Sequence, residues 1–228
     1  MTADGDKILK HLDTVSAIRL RRRADDQFNL KVQSVKSFQH QRFKLTYADL
    51  ITQARYARAV QFFLQELYGP SDFTARDQQF AKVVPALVRV FPAEIVHTVA
   101  TLSELHALSE RLDDEMAYAI LALPLDSRTY ESAWRQVGQP QSREEQIVNT
   151  LKIGIALDKL TRNIFLRQTL RIMRVPAHRA GLGALQSFLE TGFNIFREMA
   201  GADFFLQTIA SRERALAARF FSDGEITE

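Results

Sequence analysis

The sequence EIVHTVATLSELHALSERL at residues 94–112 carries an unbroken helical period. Apolar side chains recur there at intervals of three and four residues, which places them on one side of an α-helix. They are Ile95, Val99, Leu102, Leu105, Leu108 and Leu112. A pattern of this kind predicts a long amphipathic helix that buries one face against other helices.

The same period occupies nearly every other segment of the 228 residues, and no segment alternates over the length of a strand. With 9 Gly and 6 Pro, the chain has few residues for the tight turns of a sheet protein. We therefore predict an all-α fold, a single multi-helix bundle of roughly eight to ten helices. Residues 1–44 are expected to form an N-terminal helical arm that protrudes from the bundle or packs on it. Residues 45–222 are the predicted bundle domain, and residues 223–228 a disordered tail.

Three short motifs resemble capping boxes, in which a side chain before a helix accepts hydrogen bonds from its first turn. They are TYAD at residues 46–49, TARD at 74–77 and SREE at 142–145. Each predicts the beginning of a helix. The helix behind the third motif is predicted to reach Arg174 and to end at Pro176, because proline disrupts a helix interior.

Composition excludes several classes of protein. The chain has no cysteine, which rules out disulfides, thiolate nucleophiles and iron–sulfur clusters. Its 30 Lys and Arg against 27 Asp and Glu give a net charge of +3, too small to indicate nucleic-acid binding by itself. No run of apolar residues is long enough to span a membrane, and the first residues do not form a signal peptide. We expect a cytoplasmic protein.

The run FFLQELYGP at residues 62–70 resembles the signature of a family of uncharacterised bacterial proteins named after the motif FFLEELY. The chain departs from that motif at Gln65, where the family has Glu. Further residues that fit the family lie at 42, 46–50, 55–56, 72–73, 76–77, 185–186, 188–189, 192–193 and 212–213. The resemblance implies no activity, because the family has none assigned, and no catalytic residue is carried over from it.

Five residues in and after this run are candidates for binding a ligand or partner: Phe62, Glu66, Tyr68, Arg76 and Asp77. On a helical wheel, Phe62 falls away from the apolar stripe of its helix. It therefore either fills a second contact of a helix buried on two sides or is an exposed anchor for a partner. Glu66 is expected to pair with Arg76 near the turn at residues 69–70, with Asp77 and Arg55 as an alternative pair.

Asp158 and Arg162 are a second candidate pair, four residues apart on a predicted helix. They share a helical face with the apolar residues Ile147, Leu151, Ile155 and Phe165. This company indicates partial burial, and a buried pair needs further hydrogen bonds to offset its desolvation. We predict that the pair joins a polar network inside the bundle, with ligand binding as the alternative.

Metal and cofactor chemistry has no supporting pattern. Glu94 and His97 have the spacing used in di-iron bundles, but such sites need a second motif and two more carboxylates. His97 and His106 lie on opposite sides of their helix. The acidic residues 113–115 are expected to form a solvated turn. We predict no metal, no cofactor and no catalytic residue.

The N-terminal arm is rich in cations: Lys7, Lys10, Arg19, Arg21, Arg22, Arg23, Lys31 and Lys36. They are expected to form a solvated helical face. The alternative is contact with the phosphates of a nucleic acid or of an anionic membrane surface. No aromatic platform for base stacking and no recognition helix is interleaved with these cations, which disfavours the nucleic acid.

Three functions follow from these observations. The first is a non-enzymatic interaction module that self-associates as a homo-oligomer through apolar helix faces. The second is a module that binds an apolar small molecule in a cavity between helices, because 16 Phe residues, several in adjacent pairs, are available to line it. The third is an enzyme of a type that no motif reveals.

Overall fold

The computed structural model describes residues 2–67, 71 and 73–222. Of these residues 87% are helical, and none of them lies in a strand. The elements of this part of the chain are α1 (Ala3–Arg23), α2 (Asp26–Thr46), α3 (Ala48–Ile51), α4 (Ala54–Phe62), a π-helical segment (Phe63–Leu67), α5 (Thr74–Val90), α6 (Ala93–Ala119), α7 (Ser127–Val137), α8 (Pro140–Leu160), α9 (Ile164–Arg179), α10 (Gly183–Met199) and α11 (Asp203–Phe221). The predicted all-α bundle is confirmed, and the predicted tail at 223–228 lies outside the described residues.

The long helix α6 is central, and α1, α2, α7 and α8 all pack against it. Three apolar clusters fill the spaces between helices. One joins α1, α5 and α6 around Ile8 and Val84. Another joins α2, α6, α7 and α11 around Tyr130. The third joins α4, α10 and α11 around Phe196 and Phe205. The predicted helix at residues 94–112 therefore lies between these clusters. Of its predicted apolar side, Leu112 is fully buried and the other five residues are half-buried.

The predicted arm consists of α1 and most of α2, and both helices pack on α6. Ile8, Val32 and Val35 are fully buried there. Packing on the bundle was one of the two arrangements expected for this segment. A domain boundary at residue 44 stays a prediction.

The three predicted capping boxes are wrong. Thr46 is the last residue of α2, and Thr74 is the first residue of α5 instead of its cap. Ser142 lies inside α8, which begins two residues earlier at Pro140 because proline fits the first position of a helix. A capping box that the sequence analysis missed opens α7, where the side chains of Asp126 and Thr129 cap reciprocally.

The predicted continuous helix from 142 to 174 is also wrong, because the chain breaks at residues 161–163. The side chain of Asn163 accepts hydrogen bonds from the backbone N–H groups of Phe165 and Leu166, and so starts a new helix. Pro176 lies inside α9, whose last residue is Arg179. This break and a similar one after α3 raise the number of α-helices in the described residues to eleven.

Candidate functional site

Phe62 is the last residue of α4 and is 6% exposed. Its ring stacks on Phe188 of α10, with ring centroids 5.6 Å apart. Gly192 allows this approach, because a Cβ atom at that position would lie 3.1 Å from the Phe62 ring. The next residue, Phe63, is also buried and contacts Phe205 of α11. The prediction of a helix buried on two sides is therefore confirmed at Phe62.

Arg76 lies between two aromatic rings and holds Glu66. Its guanidinium carbon is 4.1 Å from the ring centroid of Phe73 and 4.4 Å from that of Phe188. Its Nη1 donates to the Glu66 carboxylate at 3.0 Å, as the sequence predicted. Burial lowers the pKa of Arg76, against the opposing charges of the neighbouring carboxylates. These contacts fix the start of α5 beside the π-helical segment, and the remaining motif candidate, Tyr68, lies outside the described residues.

Asp77 does not pair with Arg55, which donates instead to backbone carbonyls at the end of α10. The Asp77 carboxylate accepts from Arg19 at 2.8 Å, and His106 Nε2 lies 2.8 Å from the same oxygen. Burial would raise the pKa of Asp77, but the hydrogen bond with His106 and the charge of Arg19 outweigh burial and lower it. Asp77 therefore belongs to a larger group of charges between α1, α5 and α6.

We call this group the ionic cluster: Arg19, Arg22, Lys36, Asp77, His106, Glu110, Asp113 and Asp114. Its centre is Glu110 on α6, which is 3% exposed. The Glu110 carboxylate pairs with Arg22, with Arg19 at 2.9 Å and with Lys36 at 3.0 Å. Burial alone would raise the pKa of Glu110. The positive charges of Lys36, Arg22 and Arg19 outweigh burial and hold that pKa well below its usual range.

The ionic cluster corrects two predictions. The acidic residues 113–115 are not a solvated turn, because they lie within α6. Asp113 is buried, which raises its pKa, and Asp114 accepts from Arg22 at 2.5 Å. Arg19, Arg22 and Lys36 are likewise not solvated, since they face α6 and pair with its carboxylates. Contact of a nucleic acid or anionic surface with the remaining cations of the arm stays a prediction.

The ion pairs of the ionic cluster hold helices together and are not suited to acid–base catalysis. A general acid or base needs a pKa near the working pH and must reach a substrate. Glu110 has a strongly lowered pKa and almost no exposed surface. Its three ion-pairing partners join α1 and α2 to one point on α6, and Arg19 also binds Asp77 of α5. Within the described residues, no three His, Asp or Glu side chains are grouped as a metal site requires.

Asp158 and Arg162 pair as predicted, with 2.6 Å between Arg162 Nη2 and Asp158 Oδ2. The other carboxylate oxygen accepts from the backbone N–H of Ala202 at 3.1 Å, which ties the end of α8 to the start of α11. Asp158 is nearly buried, whereas Arg162 is exposed. Of the apolar residues on the same predicted face, which indicated burial of the pair, Ile155 and Phe165 are themselves exposed. Asp158 thus has a structural contact, and ligand binding by the pair stays a prediction.

The aromatic pairs that suggested an apolar cavity pack mainly on other rings. Phe220 and Phe221 both contact Trp134, at centroid distances of 5.2 and 5.9 Å. Phe204 lies beside Tyr56 at 5.4 Å and is partly exposed. The apolar-ligand hypothesis stays a prediction.

No motif in the sequence indicates α9 as a functional site. One face of this helix packs on α10, yet Ala177 is its one buried residue. Four exposed apolar side chains lie on another face, within an arc of about 100° at 100° per residue. We call them the apolar stripe: Ile164, Phe165, Ile172 and Val175. Phe165 and Ile172 are 71% and 72% exposed.

A cationic groove of about 430 Å³ runs along the edge of this stripe, between α9 and α10. We call it the arginine groove. Arg167, Arg171 and Arg174 line it from α9, and Arg197 lines it from α10. Arg174 pairs with Glu190 at 2.9 Å. In the part of the chain that the structure describes, the other three guanidinium groups form no ion pair.

A count of charges along the sequence would have found this region. Residues 159–189 contain six Lys and Arg and no Asp or Glu. The cations are Lys159, Arg162, Arg167, Arg171, Arg174 and Arg179. Because the whole chain has a net charge of +3, this segment carries +6 and the remainder carries −3. Charge is therefore segregated along the sequence here, although Lys159, Arg162 and Arg174 pair with carboxylates outside the segment.

Among the described residues, no helix is both long and apolar enough to cross a membrane. No curated protein matches the chain, and no solved structure does. One family model matches residues 19–226, from within α1 to beyond the end of α11. The expected membership of an uncharacterised family is thereby confirmed, while the FFLEELY motif itself stays a resemblance. The chain belongs to the family described as Domain of unknown function (DUF8198).

Proposed function

We propose that this protein is a non-enzymatic interaction module that docks on an anionic membrane surface through α9. We call the apolar stripe together with Arg167, Arg171 and Arg174 the docking face. The observation that carries the proposal is the position of an uncovered apolar stripe next to cations that have no carboxylates near them in sequence.

The apolar stripe supports contact with a bilayer. Its four side chains expose hydrocarbon to water along α9, a helix of 16 residues. Helices with apolar residues on one face and arginines on the adjoining face bury the apolar face at the boundary between headgroups and acyl chains. The arginines then lie at the level of the lipid phosphates. Phe165 and Ile172 would provide most of the buried area.

The distribution of charge supports an anionic surface. Each Lys or Arg held close to an anionic leaflet contributes about 1 kcal/mol of binding free energy. Of the six cations in the segment 159–189, Arg167, Arg171 and Arg179 form no ion pair within the described residues and are available to the lipid, whereas the remainder of the chain carries −3. This asymmetry would orient the molecule with α9 towards the bilayer.

Charge also argues against a second copy of the chain on the same face. A symmetric dimer places the same patch of both subunits in contact. Two α9 helices would bring their arginines together, and α9 contains no Asp or Glu to compensate them. Self-association through other apolar helix faces stays a prediction, which sedimentation velocity would test.

Sedimentation with lipid vesicles tests the proposal. The wild-type protein is expected to bind vesicles that contain phosphatidylglycerol, to release them as salt rises, and to ignore pure phosphatidylcholine. The variant Phe165→Ser/Ile172→Ser should lose at least about tenfold in affinity, because each side chain would bury an apolar surface. Its melting temperature should change little, since both side chains are exposed.

A matched control uses apolar side chains that are equally exposed on α1 and α2. Leu20 and Leu30 are 69% and 68% exposed, and Leu20→Ser/Leu30→Ser should bind vesicles as the wild type does. The proposal is wrong if the wild type ignores anionic vesicles or if both double variants lose binding equally. Sedimentation velocity without lipid reports whether the protein self-associates. If the wild type is a dimer and the α9 variant is a monomer, the partner of the docking face is a second copy of the chain and not a bilayer.

A further inference from the structure

We propose that the arginine groove is a binding site for a phosphomonoester group. The inference goes beyond the proposed function, because a phosphorylated small molecule would fill the groove without any bilayer. Arg167, Arg171 and Arg174 belong both to the groove and to the docking face, so the test compares two lipids at equal surface potential and adds a soluble ester.

The groove has the volume of a small-molecule site. Its volume of about 430 Å³ lies within the range of roughly 300–1,000 Å³ that is typical of ligand sites. Arg167, Arg171 and Arg174 follow each other at intervals of four and three residues, so α9 presents all three on one side. Arg197 lines the groove from α10, and so does the buried side chain of Phe193.

The charges in the groove are unbalanced. Glu190 is the one carboxylate among the residues that line it. Arg174 pairs with Glu190 at 2.9 Å, and Gln186 donates to it at 3.1 Å, so this carboxylate is already satisfied. Arg167, Arg171 and Arg197 then provide three positive charges that form no ion pair within the described residues. An anion that enters the groove would meet these three guanidinium groups.

The excess of charge favours a phosphomonoester over a phosphodiester. A phosphomonoester carries a charge of about −1.5 to −2 at neutral pH and has three terminal oxygens. A phosphodiester carries one charge and offers two such oxygens. Guanidinium groups donate in pairs to the oxygens of a phosphate, and several guanidinium groups can share three oxygens. The amide side chains of Gln168 and Asn194 also line the groove and supply further donors.

The size of the groove indicates an ester instead of inorganic phosphate. A phosphate ion occupies only a part of a space of about 430 Å³. The organic portion of the ester would lie against Phe193 and Leu170, which form the apolar part of the lining. Two sources of the group fit this chemistry: the headgroup of a phosphomonoester lipid and a soluble phosphate ester.

Two probes separate these sources. The first is glycerol 3-phosphate in solution, titrated into the protein by calorimetry. The second is a pair of vesicles that contain phosphatidic acid or phosphatidylglycerol and are matched in surface potential. The groove variant is Arg171→Gln/Arg197→Gln. The control variant, Arg89→Gln/Arg128→Gln, removes the same charge from exposed positions on α5 and α7.

We expect the wild type to prefer phosphatidic acid at least about tenfold, the effect of one lost charge-assisted hydrogen bond. The groove variant should lose this preference, and the control should keep it. Saturable binding of glycerol 3-phosphate that the groove variant lacks also supports the site and extends it to soluble esters. Equal affinity for the two lipids without binding of the soluble ester overturns the inference and leaves the docking proposal intact. Binding of the soluble ester by a protein that ignores all vesicles overturns the docking proposal and leaves the groove intact.

Discussion

Glu110 has the most demanding environment of any carboxylate in the ionic cluster. It is almost fully buried, and a buried carboxylate is strongly unfavourable unless cations and hydrogen-bond donors surround it. Arg19, Arg22 and Lys36 supply three cations from two helices, and Arg22 also donates to the Glu110 backbone carbonyl at 2.7 Å. The cluster thus makes the attachment of α1 and α2 depend on the ionisation of one side chain.

This dependence predicts how acid affects stability. The pKa of Glu110 in the folded protein lies well below that of the unfolded chain. Its contribution to the free energy of unfolding is therefore complete above the unfolded pKa of about 4.5 and is lost as the pH falls below it. Glu110→Gln should cost about 3–5 kcal/mol at pH 7, because it leaves buried cations unpaired. Urea denaturation across pH 3–7 should show this difference shrinking towards acid.

The buried carboxyl group of Asp113 provides an internal check on that measurement. Burial raises the pKa of Asp113, so its protonation favours the folded state and its contribution has the opposite sign. Asp113→Asn should therefore not remove the loss of stability in acid. A difference between Glu110→Gln and wild type that is constant from pH 3 to pH 7 would contradict the assignment of the acid effect to Glu110.

Burial of single apolar residues could be predicted from the sequence, whereas the ionic cluster could not. Phe62 was placed in a second contact from the pattern of its own helix, and the structure buries it. Arg22 and Glu110 lie 88 positions apart in the sequence. Each is a charged residue of the kind that usually lies on an exposed helical face. No local pattern shows that two such faces meet. Only the packing of α1 on α6 brings these charges together.

At the scale of the element, helix ends were predicted less well than helix interiors. Residues that usually cap helices are used here in contacts between helices. Asp49 binds Arg212 at 2.6 Å, and the hydroxyl group of Thr74 accepts from Arg23 at 3.2 Å. A local motif shows which backbone N–H groups a side-chain oxygen could cap. An arginine that is distant in sequence can bind the same oxygen instead, and no local motif reveals it. The helical period has no such competitor, which explains why it predicted the interiors.

The packing of α4 on α10 gives a prediction for a pair of residues. Phe62→Ala should cost about 3–5 kcal/mol, as for other aromatic side chains removed from a core. In the wild type, the methyl group of Gly192→Ala would lie 3.1 Å from the Phe62 ring and strain the contact. With Phe62→Ala the strain disappears, and the gain in helix propensity of about 1 kcal/mol remains.

A double-mutant cycle by urea denaturation measures this coupling. Gly192→Ala should be more favourable in the Phe62→Ala protein than in the wild type by about 1 kcal/mol or more. Additive effects of the two substitutions would show that the ring does not rest on Gly192. An unchanged stability of Phe62→Ala alone would return Phe62 to the role of a surface anchor.

At the scale of the whole molecule, the helices differ in how firmly they are held. α1 has six buried residues and its ion pairs to α6, whereas α9 has one buried and twelve exposed residues. α5 also has one buried residue, but fewer than half of its residues are exposed. The least buried long helix is thus also the one that carries the exposed apolar stripe and the cations. A face of this kind is suited to contact with a partner because little of it is engaged within the chain. The alternatives of an apolar-ligand module and an enzyme rest on no comparable feature and stay predictions.

This difference predicts the pattern of amide hydrogen exchange in the intact protein. Exchange from a helix reflects the free energy of the opening that exposes it. Because α1 and α6 share an apolar cluster and the ionic cluster, amides of α1 should be protected to within about tenfold of those of α6. Amides of α9 should exchange at least about a hundredfold faster. Fast exchange confined to α1 and α2 would instead show that residues 1–44 open as a separate arm, and protection of α9 equal to that of α6 would show that its exposed face does not weaken it.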